Sequence, residues 1–140
     1  MRAFLDTNIL LDVLLNRAGF FEESDQVIGR CEDTGAEMWI AWHGLATAYY
    51  VIQRAVGRAN ALTELDRIYQ WTRVATASDQ DARRARGLGF TDFEDALQAV
   101  SAESCGADWL VTRNTADFSI SSVPAVTPQD FLQRVPAPQP

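Results

Sequence analysis

Short apolar runs, each about the length of one strand, recur along this chain and alternate with longer stretches of helical character. "RAFL" (2–5), "EMWIAW", "VATA", "DWLVT" and "SVPAVT" read as strands. Between them, apolar positions recur at helical spacing, as at 20, 21, 27, 28 and 31 in "FFEESDQVIGRCEDTG". Strands alternating with helices predict an α/β fold, a three-layer α/β/α sandwich around a mainly parallel sheet of four to five strands.

The helix boundaries follow from local chemistry. Thr7 or Asn8 is placed to cap the first helix, with Ile9, Leu10, Val13 and Leu14 on its inner side. Gly35 closes the second helix. "GLATAYYVIQRAVG" and "ANALTELDRIYQWTR" read as a helical hairpin broken at Gly57, and "SDQDARRARGLG" as a charged helix ending in glycine. "TDFEDALQAVSAESCGA" is the clearest helix, with Phe93, Ala96, Leu97 and Val100 near one face. A last helix is expected over 128–134, followed by a loose tail, "PAPQP" (136–140).

In such folds, binding sites form beyond the carboxyl ends of the strands. Here those places read "DTN" after "AFL" and "TRNTAD" after "WLV". Aspartate and asparagine are depleted in strands, so Asp6 needs a reason. Asp92 and Asp95 lie three apart in the first turn of the clearest helix, and Asp117 follows Thr112 and Asn114. If the first and fourth strands are neighbours, all these acids converge on one edge of the sheet. Crowded carboxylates repel unless a cation compensates them. Oxygen ligands without histidine or cysteine select Mg²⁺ or Mn²⁺ over zinc. An ion held by aspartates activates water and stabilises charge developing on a phosphodiester, so the chemistry expected is metal-assisted hydrolysis.

Each acid taken alone has a plainer reading. "TDFE" matches a capping box with Thr91 as cap and Glu94 three residues on. Asp92 and Asp95 suit the positive end of a helix, Asp6 can belong to an N-terminal cap, and Asp117 can be a turn residue. Three separate elements aiming acids at one cleft favour the functional reading.

Composition limits the partners. The net charge is −7, which argues against simple non-specific binding of nucleic acid. The charge is uneven: seven arginines face four acids between Arg54 and Arg86, and every basic residue of the chain is arginine, the better shape for gripping phosphate. Cys31 and Cys105 stand far apart with no C-x-x-C spacing, so neither a zinc site nor a disulfide framework is expected. No apolar run approaches the ~20 residues of a membrane helix, and the opening carries Asp6 and Asp12 without a basic lead-in. A cytoplasmic protein without a membrane partner is expected.

"FLDTNILLDVLL" and "DFEDALQAVSAESCGADWLVTRNTADF" resemble the PIN domain family, and in particular its short bacterial members, which include VapC-type toxins. The resemblance runs from Arg2 to about Leu132 and implies a PIN-like domain over 1–135 with a flexible tail at 136–140. It implies a Mg²⁺- or Mn²⁺-dependent endoribonuclease, often a dimer and often paired with an antitoxin. By that likeness Asp6, Asp95 and Asp117 are the catalytic metal ligands, with Asp92 as a further acid. Asn8, Thr112 and Asn114 would orient ligands or water around them; Arg113, by its own place beside the strand end, is a candidate to hold a substrate phosphate. An antitoxin would cross the apolar 39–71 region and cover the cleft.

The chain departs from the family pattern at two acids. Many relatives carry one directly after Thr-x, where Asn114 stands here with Asp117 three residues later. A carboxylate expected early in the helix after the second strand is absent from "AWHGLATAYYVI", where Thr47 holds its place. The alternative is therefore a catalytically weakened PIN fold that binds RNA or protein. An aspartate-nucleophile phosphatase is rejected, because it needs a second acid two residues after the first and Asn8 stands there. His43, without an acid beside it in sequence, reads as structural. Trp39, Trp42, Tyr49 and Tyr50 read as core or dimer packing before base stacking, and Cys105 as a small apolar filler.

Overall fold

The computed structural model describes residues 1–139; Pro140, the end of the segment expected as a tail, lies outside the described residues. The elements run β1 (Arg2–Leu5), α1 (Thr7–Leu14), α2 (Phe21–Thr34), β2 (Glu37–Ala41), α3 (Trp42–Val56), α4 (Arg58–Trp71) and β3 (Thr72–Ala75). They continue with α5 (Asp79–Gly87), α6 (Phe93–Ser104), β4 (Trp109–Val111), a 3₁₀ turn (Thr115–Phe118), β5 (Ala125–Val126) and α7 (Pro128–Arg134). Residues 136–139 carry no regular secondary structure.

The five strands form one sheet in the order β3-β2-β1-β4-β5, and every pairing is parallel. The first and fourth strands are therefore neighbours, with Leu5 opposite Val111. Parallel pairing forces each connection to cross the sheet, and the intervening helices provide those crossovers.

Successive side chains on a strand point to opposite faces, and this divides the core in two. Ala3, Leu5, Met38, Ile40 and Val111 join one cluster with the buried faces of α1, α2, α3, α4 and α7. Phe4, Ala41, Leu110 and Ala75 join another with Ala99 and Ala102 of α6. Ala85 of α5 packs outside against Ala96 and Val100 of α6. The three-layer expectation is met.

Boundaries differ in two informative places. β3 begins two residues before "VATA", because α4 passes into it at Thr72 with no glycine or proline between. The capping box of Thr91 with Glu94 does not form; Asp92 is the N-cap of α6, and its side chain accepts the Glu94 amide. Gly57, at φ +85°, makes the break between α3 and α4 in a backbone region that suits glycine. Among the described residues no helix is long and apolar enough to cross a membrane.

Candidate active site

Asp6 stands at the carboxyl end of β1 as the N-cap residue of α1, yet its side chain makes no capping hydrogen bond. Neither Thr7 nor Asn8 is the cap, a correction to the sequence reading. The Asp6 backbone N–H donates to the Val111 carbonyl, 3.0 Å, which ties the two strand ends together. Its carboxylate is buried and accepts a 2.8 Å hydrogen bond from the Thr112 hydroxyl just beyond β4. That hydroxyl accepts in turn from the Asn114 amide at 3.2 Å, so Thr112 is aimed from both sides. Burial raises the Asp6 pKa, the Thr112 bond opposes the rise, and the nearby Glu94 charge adds to it.

The other acids surround a depression of about 310 Å³ lined by Asp92, Asp95 and Asp117 with Thr91, Phe90 and Ile120. Asp92 is exposed, and one of its oxygens is engaged as the α6 cap at 2.9 Å. Asp117 is exposed on the 3₁₀ turn. Asp95, half-buried in the first turn of α6, carries the largest perturbation. Burial and then the charges of Asp92, Glu94, Asp6 and Asp117 push its carboxyl up to about 7. Asp6 does not line the depression itself, but its charge reaches Asp95.

Glu94 is the acid that the sequence reading assigned only to capping. Its Oε1 accepts from His43 Nε2 at 3.1 Å and from Gln98 Nε2 at 2.8 Å. Burial works against its charged form, but the His43 and Gln98 hydrogen bonds prevail and lower its pKa. Gln98 is fully buried and also donates to the Thr7 hydroxyl, 2.7 Å, so a polar chain links α3, α6 and the residue after Asp6. Fifty-one positions separate His43 from Glu94 and 91 separate Thr7 from Gln98, a distance over which no local pattern gives a signal.

The remaining candidates are placed as follows. Asn8 is half-buried, and its side-chain carbonyl accepts from Arg17 Nη1 at 3.4 Å. Asn114 meets the site through its backbone, with its side chain exposed. Arg113 lies with its guanidinium 3.9 Å from the centre of the Phe20 ring and its Nε 3.4 Å from Asp12. Asp12 and Arg17 were not singled out by sequence, since a charged residue inside an amphipathic helix normally faces water. Thr47 is exposed, one helical turn beyond His43, and donates to the His43 carbonyl at 3.4 Å.

Among the described residues no three His, Cys, Asp or Glu side chains stand close enough to enclose an ion together. The donor chemistry nevertheless fits a hard divalent cation: the acids offer oxygen only, and their repulsion at Asp95 is what a positive charge relieves.

A parallel sheet with Asp6 at the carboxyl end of its central strand, and Asp95 and Asp117 gathered near it, defines an α/β protein with an anionic site at the sheet edge. The family profile described as "PIN domain" matches residues 2–116, and the chain belongs to that family. Solved structures share the fold. VapBC2 from Rickettsia felis bound to a DNA fragment from their promoter is 17% identical, with a TM-score of 0.66 over 91% of this chain and 98% of that one. A toxin–antitoxin complex from Klebsiella pneumoniae is 22% identical, with a TM-score of 0.69 over 90% and 97%. VapBC-1 from nontypeable Haemophilus influenzae is 15% identical, with a TM-score of 0.69 over 92% and 99%. No curated protein matches the chain significantly by sequence.

Proposed function

We propose that this PIN domain is a Mg²⁺- or Mn²⁺-dependent endoribonuclease and the toxin of a toxin–antitoxin pair, acting in the cytoplasm. The observation that carries the reading is the gathering of Asp92, Asp95 and Asp117 around one depression at the sheet edge where Asp6 ends β1, a crowding that raises the Asp95 pKa. Perturbation of that kind, with named charge partners in a cleft, is what a functional site produces. Asp6, Asp95 and Asp117 would hold the ion by drawing closer together than they stand without it, with Asp92 at the rim. Such an ion supplies Lewis acidity for phosphodiester hydrolysis. Thr112, fixed by the Asn114 amide, orients the Asp6 carboxylate, and Asn8 would shape the pocket beside Asp6.

The partner assignments have their own support. Trp42, Tyr50, Val56, Leu62 and Tyr69 of α3 and α4 are exposed, and a surface of this kind suits an antitoxin segment or a second copy of the chain. The VapBC relatives and the Klebsiella complex favour the antitoxin.

One observation favours the rival reading, a binding module with weakened catalysis: α3 offers Thr47 where the family's acid is expected. Calorimetric titration of Mn²⁺ and Mg²⁺ into wild type and Asp6→Asn, followed by cleavage of mixed-sequence RNA, separates the two. Joint loss of binding and metal-dependent cleavage in the variant supports the nuclease. A folded wild type that neither binds nor cleaves supports the module.

A further inference from the structure

Asp12 is fully buried in α1, and two arginines lean on it without bonding it. Arg113 Nε is 3.4 Å from Oδ2 and Arg17 Nη1 is 3.7 Å from Oδ1. Only Ser24 hydrogen-bonds the carboxylate, at 3.1 Å, and Oδ1 and Arg113 Nε are buried without a hydrogen-bond partner. A buried ion pair built for stability makes short, bidentate contacts of ~2.8 Å. These contacts are long and single. Among the described residues the Arg113 side chain makes no hydrogen bond and the Arg17 side chain makes one, to Asn8 at 3.4 Å. The buried charge therefore gathers two guanidiniums while leaving most of their donors unspent.

Both arginines belong to segments that meet the surroundings of Asp6. Arg113 follows Thr112, which bonds the Asp6 carboxylate, and Arg17 touches Asn8, two residues after it. The charges of Glu94 and Asp95 also bear on Asp6, and such groups repel phosphate. Arg113 also stacks on Phe20, a residue 46% exposed, and the two line a depression of about 230 Å³ with Thr127, Pro128 and Glu23.

We infer that Arg17, Arg113 and Phe20 form a subsite for single-stranded RNA flanking the acid cluster. The arginines grip a backbone phosphate, the open part of the Phe20 ring stacks a base, and Asp12 is the positioning residue that holds both cations there. Guanidinium with an adjacent aromatic face is the combination by which sequence-tolerant single-strand sites bind. Glu23, on the rim of the same depression, opposes the phosphate and limits affinity. This inference rests on the RNA substrate proposed above.

The test is fluorescence anisotropy of a labelled mixed-sequence single-stranded RNA binding to metal-free Asp6→Asn protein, with melting curves for every variant. Adding Arg17→Gln and Arg113→Gln together should weaken binding at least tenfold and flatten the salt slope by ~0.7 for each phosphate no longer gripped. Phe20→Ala should weaken it about tenfold with the salt slope unchanged. Glu23→Gln should tighten it, and Arg83→Gln, an exposed arginine on α5, should leave it alone. Phe20 and Glu23 lie outside the buried charges, so they test the subsite even if the arginine variants fail to fold. Unchanged affinity in folded variants overturns the subsite, and wild-type cleavage in Mn²⁺ would then leave the nuclease standing. Arginine- and Phe20-dependent binding by a protein that does not cleave overturns the nuclease and keeps the subsite.

Discussion

The Thr112 hydroxyl donates to the Asp6 carboxylate across the β1–β4 junction, at 2.8 Å and out of contact with water. Two elements more than a hundred residues apart in sequence thereby fix one oxygen of the proposed metal ligand. Thr112→Val keeps the shape and removes the donor, leaving the buried oxygen and the Asn114 amide without their partner. We expect it to destabilise the fold by ~1–3 kcal/mol, with Thr112→Ser closer to wild type. Urea unfolding of the three proteins measures this, and equal midpoints for valine and wild type would refute it.

Asp95 makes stability depend on pH in an uncommon direction. Its folded pKa of about 7 lies above the ordinary 3.8, so the folded protein keeps a proton that the unfolded chain gives up. The metal-free protein should therefore lose stability as pH rises from about 4 to 7, and Asp95→Asn should flatten that window. Mg²⁺ or Mn²⁺ should raise the melting temperature more at pH 8 than at pH 5, since protons and cation compete for the same oxygens. Melting temperatures across this pH range, with and without metal, decide the point.

Gly44 of α3 supports the site by its lack of a side chain. A Cβ there would lie 2.8 Å from the Thr7 hydroxyl, which receives the Gln98 hydrogen bond next to Asp6. Gly44→Ala forces that contact apart in a packed place and should destabilise by ~1–3 kcal/mol, as overpacking does. Because Thr7 adjoins Asp6, the same substitution should weaken Mn²⁺ binding. Gly29, with open space around its position, is the control: Gly29→Ala inside α2 should be neutral or stabilising.

What could be read from the sequence depended on the range of the interaction. The strand–helix alternation and the helix ends at Gly35 and Gly57 are local, and they stand in the structure as expected. The placement of Asp6 and Asp117 near one sheet edge could be anticipated because each follows a strand, and that of Asp95 because it opens a strongly periodic helix. The partners that give the site its character were not. Glu94 meets His43, Gln98 meets Thr7, and Asp12 meets Arg113 across at least 51 residues each, and each residue alone has an ordinary local explanation. Asp12 is the sharpest case: an acid at position 12 of an amphipathic helix looks solvent-facing until Ser24 and Arg113 are known to cover it.

The acid absent from α3 can be restored, and its effect would measure how much the site lacks. Thr47 lies one turn after His43 on the helix side that meets Glu94, and its hydroxyl reaches only the His43 carbonyl. Its exposure means that glutamate fits without repacking the core. Thr47→Glu adds a carboxylate to a site already short of positive charge. In the metal-free protein it should lower stability above pH 5 by charge repulsion, while in Mn²⁺ it should tighten binding and increase RNA cleavage. Calorimetry and a cleavage assay on the wild type and Thr47→Glu read both arms. Tighter metal binding with no gain in cleavage would place the deficiency in substrate positioning instead of ion affinity. No change in metal binding would mean that Thr47 is not where this chain's missing ligand belongs.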